Sequence, residues 1–248
     1  MRFPLICLLP ALLAGAFAAQ PPAASSAQAE RLVRAEAQAV RAMHEYVVGQ
    51  RTDVREVTSK YTETRHTYLT TWVKRPNLVR IHLFPPNGKT IVYDGEGAWW
   101  YRDSDGVYWR QAETKPPAGL MSSAFPGLGR QLGNVNLPEV MQSARIAGHA
   151  VLAVGQRRFA CTIVDVTVTP AAGDGILENN LVRLWISNRY HVPLEVKAAF
   201  DPPGGKRQAF TDIATRFEPN AALPASTWVF IPPKGSKPKP GTPVPGLE

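Results

Sequence analysis

The side chains best suited to chemistry are dispersed along this chain. Its five histidines, His44, His66, His82, His149 and His191, have no spacing that would set two of them on one metal ion. Asp94-Gly95 and Asp103-Ser104-Asp105-Gly106 look like fragments of calcium loops, but no glutamate stands at the far end of either, and both read better as turns. There is no G-x-S-x-G elbow, no Gly-rich phosphate loop after a strand, and no cysteine paired with another for metal or redox work. Cys161 lies in an apolar context, Phe159-Ala160-Cys161-Thr162-Ile163, and reads as a packed small side chain. No catalytic group, metal or cofactor is predicted, and the expected work of the chain is non-enzymatic.

What remains is recognition, and the stretch that must position it is Trp72 to Tyr101, WVKRPNLVRIHLFPPNGKTIVYDGEGAWWY. A first extended segment ends at Arg75-Pro76, because proline has no N–H for a ladder and pushes its predecessor into an extended conformation. Leu78 to Phe84 alternates, with Val79, Ile81 and Leu83 on one face and Leu78, Arg80, His82 and Phe84 on the other. Pro85-Pro86-Asn87-Gly88 supplies a reversal, Lys89 to Tyr93 runs back, and Asp94-Gly95 turns the chain into the aromatic segment Ala98 to Tyr101. One face of this meander is aliphatic and the other charged or amphipathic, so the aliphatic face requires a cover.

The flanking chain offers candidates for it. Residues 1–18, with Met1-Arg2, the apolar run Phe3 to Leu13 and Ala16-Phe17-Ala18, read as a secretory signal peptide cut before Ala19. Pro4-Leu5-Ile6 does not fit a lipidation signal at Cys7. Residues 19–29 read as a mobile Pro/Ala/Ser leader. From Ala29 to Val48, Leu32, Ala35, Ala39, Val40, Met43 and Val47 recur at helical spacing, which predicts an amphipathic helix ending near Gly49. Thr52 to Thr71 predicts two strands, and Val107 to Gln111 another. Between Thr114 and Ser143 the alternation stops, and Pro116, Pro117, Gly119, Gly127, Gly129 and Gly133 interrupt short apolar pieces, which predicts short helices on flexible turns. Strands return from Ala144, the last at Thr227 to Ile231. The Pro/Lys tail, residues 236–248, has almost nothing to bury and is expected to be disordered.

Residues 1–18 hold one arginine and no acid, so their loss lowers the formal charge only from +8 to +7. The sequence pI near 9.7 would suit nucleic acid or anionic lipid, but the basic residues are spread out and no base-stacking module is legible, so nucleic acid is not expected as a partner.

Three runs resemble one family. Trp72-Val73-Lys74-Arg75-Pro76-Asn77-Leu78, then Val92-x-Asp94-Gly95-x-x-x-Trp99-x-Tyr101, and far downstream Trp228-Val229-Phe230-Ile231-Pro232-Pro233-Lys234-Gly235 are similar, in order, to words of the LolA-like periplasmic lipoprotein carriers, whose fold LolB- and RseB-type proteins share. The resemblance spans roughly residues 30–235. It implies a mainly β fold with an α lid: an incomplete, half-open antiparallel β-barrel covered by the N-terminal helix and short lid helices. It implies an apolar cavity lined by Val79, Ile81, Leu83 and Val73 from the sheet and by Leu32, Met43 and Val47 from the helix, with a lid segment around Leu120, Met121, Phe125 and Leu128. Arg75 matches the family's arginine, which ties lid carbonyls and holds the empty cavity closed. The family usually has bulky aromatics where Val79 and Ile81 stand, which implies a roomier pocket. Partners implied are lipoprotein acyl chains or another lipid, an inner-membrane lipoprotein-releasing ABC transporter and an outer-membrane acceptor, for a monomer in the periplasm. A free-lipid carrier, a sensor of stray lipoproteins, and a ligand-free structural domain are the alternatives.

Overall fold

The alternation in Leu78–Leu83 becomes one strand of a single large sheet. The computed structural model describes residues 23–57, 61–86, 88–112, 125–127, 136–169, 176–201 and 207–241. Helix α1 (Ala23–Ala42) leads into β1 (Glu45–Val57), β2 (Thr62–Lys74), β3 (Leu78–Leu83), β4 (Lys89–Asp94), β5 (Ala98–Arg102) and β6 (Val107–Gln111). A one-turn helix α2 (Leu137–Val140) precedes β7 (Met141–Val154), β8 (Arg157–Val168), β9 (Ile176–Ser187), β10 (Pro193–Asp201) and β11 (Arg207–Pro219), and a 3-10 turn (Ala225–Trp228) and β12 (Lys237–Pro238) follow. The sheet order is β12-β6-β5-β4-β3-β2-β1-β11-β10-β9-β8-β7, antiparallel except for the β12–β6 pair. The two edge strands are not paired with each other, which leaves a half-open barrel with α1 on its inner face.

Register fixes what faces inward. Tyr46, Val73, Val79, Tyr93 and Ala98 form one row across β1 to β5, Thr71, Ile81, Ile91, Trp100 and Trp109 the next, and Leu69, Leu83, Lys89, Arg102 and Val107 the outermost. The first row is fully buried under the C-terminal end of α1, whose Val40 joins the same cluster. The N-terminal half of α1 sets Ala29 and Val33 against Val164, Val166, Val182, Leu184 and Phe210 of the other half-sheet. There the tip of the β7–β8 hairpin curls back over β11. Gly155, at φ 58°, sits beside the Thr215 carbonyl, and Phe159 meets Phe217 and Tyr190 at ring separations of 5.8 and 6.3 Å.

Three expectations about the N-terminal part of the chain are corrected. The helix ends at Ala42 rather than near Gly49, and Val47 belongs to β1. Tyr46, Val47 and Val48 are all fully buried, because β1 is covered on both faces; such a continuous apolar run has no period with which to tell strand from helix. Val47 pairs with Trp72 on the outer face, away from the Val79 row, so it does not line the inner face. The supposed leader is helical from Ala23, and Ser26 Oγ donates to the Ala144 carbonyl at 2.9 Å.

The C-terminal segment is the remaining pair of corrections in one region. Thr227 to Ile231 makes no ladder; it is the 3-10 turn and an irregular strap whose Phe230 covers the outer face, stacked on Trp99 at 5.3 Å and against Tyr108 at 5.7 Å. The tail adds an edge strand instead of being wholly disordered: Lys237 N donates to Gly106 O and Lys239 N to Tyr108 O, both at 2.8 Å. Pro238 stands between those two donors, so its missing N–H removes no bond from the ladder.

Candidate functional site: an arginine-tied helix over an apolar sheet face

A helix's last carbonyls have no partner within the helix and carry the negative end of its dipole. In α1 those groups point at Arg75, which follows β2 in the turn Arg75-Pro76-Asn77. Its main-chain N donates to His44 O at 2.8 Å, its Nε to Met43 O at 2.9 Å and its Nη2 to Val40 O at 3.1 Å. The rigid fork of guanidinium donors holds carbonyls three residues apart in one fixed geometry, whereas an ammonium is a point charge with rotating donors on a flexible stem. Tyr46, buried beside it, has its phenol pushed up to about 12 by burial, while the charge of Arg75 and a hydrogen bond from it pull the other way.

A second piece of chain rests on the inner face at residues 125–127. The Phe125 ring lies 5.1 Å from Tyr46 and 5.6 Å from Phe217. Gly127 N donates to Asp212 Oδ2 at 3.2 Å, and Thr52 Oγ1 donates to Asp212 Oδ1 at 3.1 Å. The buried side chain of Asp212 thus ties this segment to the sheet through hydrogen bonds, the condition under which a buried polar group is tolerated.

Of the residues singled out from sequence, Arg75, Val73, Val79, Ile81, Met43 and Phe125 come together in one region, with Val73 and Val79 fully buried and Ile81 and Met43 packed at the edge of that cluster. Leu83 is half-buried on the outermost row, and Leu32 packs with the other cluster, at the far half of α1. Leu120, Met121 and Leu128 lie outside the described residues, as do residues 1–22.

Several residues of the region were not singled out. Trp100 and Trp109 stack on the inner face at 6.0 Å with ring planes 8° apart, and Lys89 Nζ sits 4.2 Å above the Trp100 ring. Finding them requires the register of three strands, which composition does not supply. Glu36 stands on the inward stripe of α1 between Val33 and Val40; burial pushes its carboxyl up to about 7, against the charge of Arg41, which lowers it. A glutamate gives no sequence signal for an apolar stripe, and only the packing of the helix decides its environment. Among the described residues no group of histidine, cysteine, aspartate and glutamate could hold a metal ion, and no helix is long and apolar enough to cross a membrane.

No family model matches the chain, and no curated protein does. Among solved structures it is similar to LprF from Mycobacterium bovis, at 13% identity over 81% of this chain and 97% of that one, with a TM-score of 0.43. It is similar to a LolA superfamily protein from Nitrosomonas europaea at 10% identity, over 82% and 97% of the two chains, with a TM-score of 0.32. It is also similar to a chain of the MucA/MucB complex of Pseudomonas aeruginosa, at 16% identity over 81% of this chain and 60% of that one, with a TM-score of 0.40, so it spans about three fifths of that protein's length. The solved structures to which this chain is similar thus include LolA-superfamily, LprF and MucB proteins.

Proposed function

We propose that the protein is a periplasmic carrier that holds lipid acyl chains against the inner face of its half-barrel, with α1 and the segment around Phe125 as the cover. The observation that carries this reading is the tie from Arg75 to the Val40 and Met43 carbonyls, which fastens the end of a helix over an aliphatic sheet face. Such a tie has two arrangements. With the face empty, α1 covers Val73, Val79 and Tyr93; with chains present, the helix end lifts and the chains take its place. Moving acyl chains from a membrane to an apolar protein surface is nearly neutral, whereas exposing them to water costs about 0.8 kcal/mol per CH₂. The carrier therefore needs to keep its cargo dry rather than bind it tightly. The energy held in the closed, empty form then favours unloading.

Lipoproteins carried from inner to outer membrane are the cargo that the sequence resemblance favours, with an inner-membrane ABC transporter as donor and an outer-membrane acceptor. Lipid extraction and mass spectrometry of the protein purified from its native periplasm tests this. Triacylated peptide is the expected result; free lipid would keep the carrier and replace the cargo. Protein that carries nothing, and that neither brightens an apolar dye nor releases it to a lipopeptide, would contradict the proposal.

A further inference from the structure

The outermost row of the inner face differs from the rows beneath it. Below it, from β3 to β6, the face is apolar: Ile81, Ile91, Trp100 and Trp109, with Ile81 and both indoles half-buried rather than sealed. On the row itself the partners run Leu83, Lys89, Arg102, Val107 and, through the edge pair, Lys237, so three cations share one rim. Arg102 is engaged by Asp105. Among the described residues, neither Lys89 nor Lys237 forms an ion pair. The Lys89 ammonium is held over the Trp100 ring at 4.2 Å, a geometry that leaves its remaining N–H donors for another group. Burial and then the charge of Arg102 both lower the Lys89 pKa, as befits a lysine beside a second cation. The Trp100 indole N–H is buried and has no acceptor among the described residues. A half-buried ammonium and an orphaned indole donor beside an apolar wall are groups that an anionic oxygen ligand would satisfy.

We propose that this rim is the head-group site of the carrier: an amphiphile with an anionic head, carboxylate or phosphate, lies with its chain along Ile81, Trp100 and Trp109 and its head against Lys89. This rests on the acyl-chain reading above and adds a preference to it. An uncharged head can accept a hydrogen bond from Lys89 or the Trp100 N–H but brings no charge to balance the ammonium, whereas an anionic head supplies both acceptor and charge. Lys237, on the edge strand, extends the same positive rim toward the C-terminal tail.

The test measures displacement of an apolar dye by dodecanoate, dodecyl phosphate and dodecanol, below their aggregation limits and at low salt, with inorganic phosphate as a further competitor. The full chain is compared with Lys89→Gln and Lys89→Arg. The two anionic amphiphiles are expected to compete about tenfold better than dodecanol, with the ratio falling toward one in Lys89→Gln, persisting in Lys89→Arg and shrinking as salt is raised. Inorganic phosphate alone is expected not to displace the dye; if it does, the anion is being bound without its chain and the proposal is overturned. Dodecanol competing as well as the anions, or a preference that survives Lys89→Gln, overturns the head-group site and leaves the carrier reading standing. Failure of every amphiphile to displace the dye overturns both.

Discussion

Replacing Arg75 by leucine removes the side-chain donors that meet Met43 O at 2.9 Å and Val40 O at 3.1 Å, while the main-chain bond from residue 75 to His44 O can persist. Charge-assisted bonds of this kind contribute roughly 1.5–3 kcal/mol each when buried. Arg75 is half-buried, so the lower end applies, and the two together stabilise the closed helix end by about 3 kcal/mol. About 3 kcal/mol is roughly a hundredfold in the open-to-closed ratio. Two measurements read it. Amide exchange over residues 36–46 should speed up on that scale in Arg75→Leu, while exchange in β8 and β9 stays at the wild-type rate. Release of a fluorescent lipopeptide to acceptor vesicles should slow, because a ligand shifts an equilibrium only by its differential affinity for the two states, and the closed state has lost its advantage. Lysine at position 75 should restore little of either, since its ammonium lacks the preorganised fork that meets both carbonyls at once. Unchanged exchange at the end of α1 together with wild-type release would show that the tie does not control the cover, and the reasoning would fail.

Other expectations follow from single features. Phe230→Ala should destabilise by about 3–4 kcal/mol, because it removes a buried ring stacked on Trp99, and chemical denaturation would read this as a lower midpoint at unchanged slope. Truncation after Gly235 should lower the melting temperature by about 2–4 °C, as loss of the two edge bonds of β12 is worth about 1 kcal/mol; no change would show that the edge strand adds nothing to stability. Glu36 has a folded pKa near 7, above its unfolded value, so the folded form binds the proton more tightly and stability falls as pH rises from about 4.5 through about 7. Glu36→Gln should therefore raise the melting temperature at pH 8 and leave it unchanged at pH 5; an equal effect at both would refute burial of the carboxyl.

The central meander was legible because β3 alternates in residue type and proline- and glycine-bearing turns bound the strands on either side of it. Val79, Ile81 and Leu83 alternate in type with Arg80 and His82, the period of two that a strand imposes, although of these only Val79 is fully buried. The same reasoning explains the failures. Tyr46-Val47-Val48 is buried from both sides, so no period survives, and the helix was extended through it. In the C-terminal strap Trp228 and Phe230 are buried while Val229 and Ile231 are exposed; this alternation mimics a strand, but it reports burial and not hydrogen bonding, and no ladder forms there. The tail was read as disordered because it has almost nothing to bury, yet Pro238 occupies the position where an edge strand needs no donor. In the candidate site Arg75 was found through the wording around it. Lys89, Trp100 and Glu36 were not, because a lysine, an indole and a glutamate become informative only once register and helix packing say which way they face.

The account turns on whether acyl chains occupy the inner face beneath the end of α1, and photo-crosslinking answers that most directly. A fatty acid with a diazirine at mid-chain, bound to the full-length protein and irradiated, should label residues 40–46, 69–83 and 89–102, with labelling suppressed by excess lipopeptide. Labels confined to the outer face, around residues 225–232, or scattered and unaffected by the competitor, would contradict it.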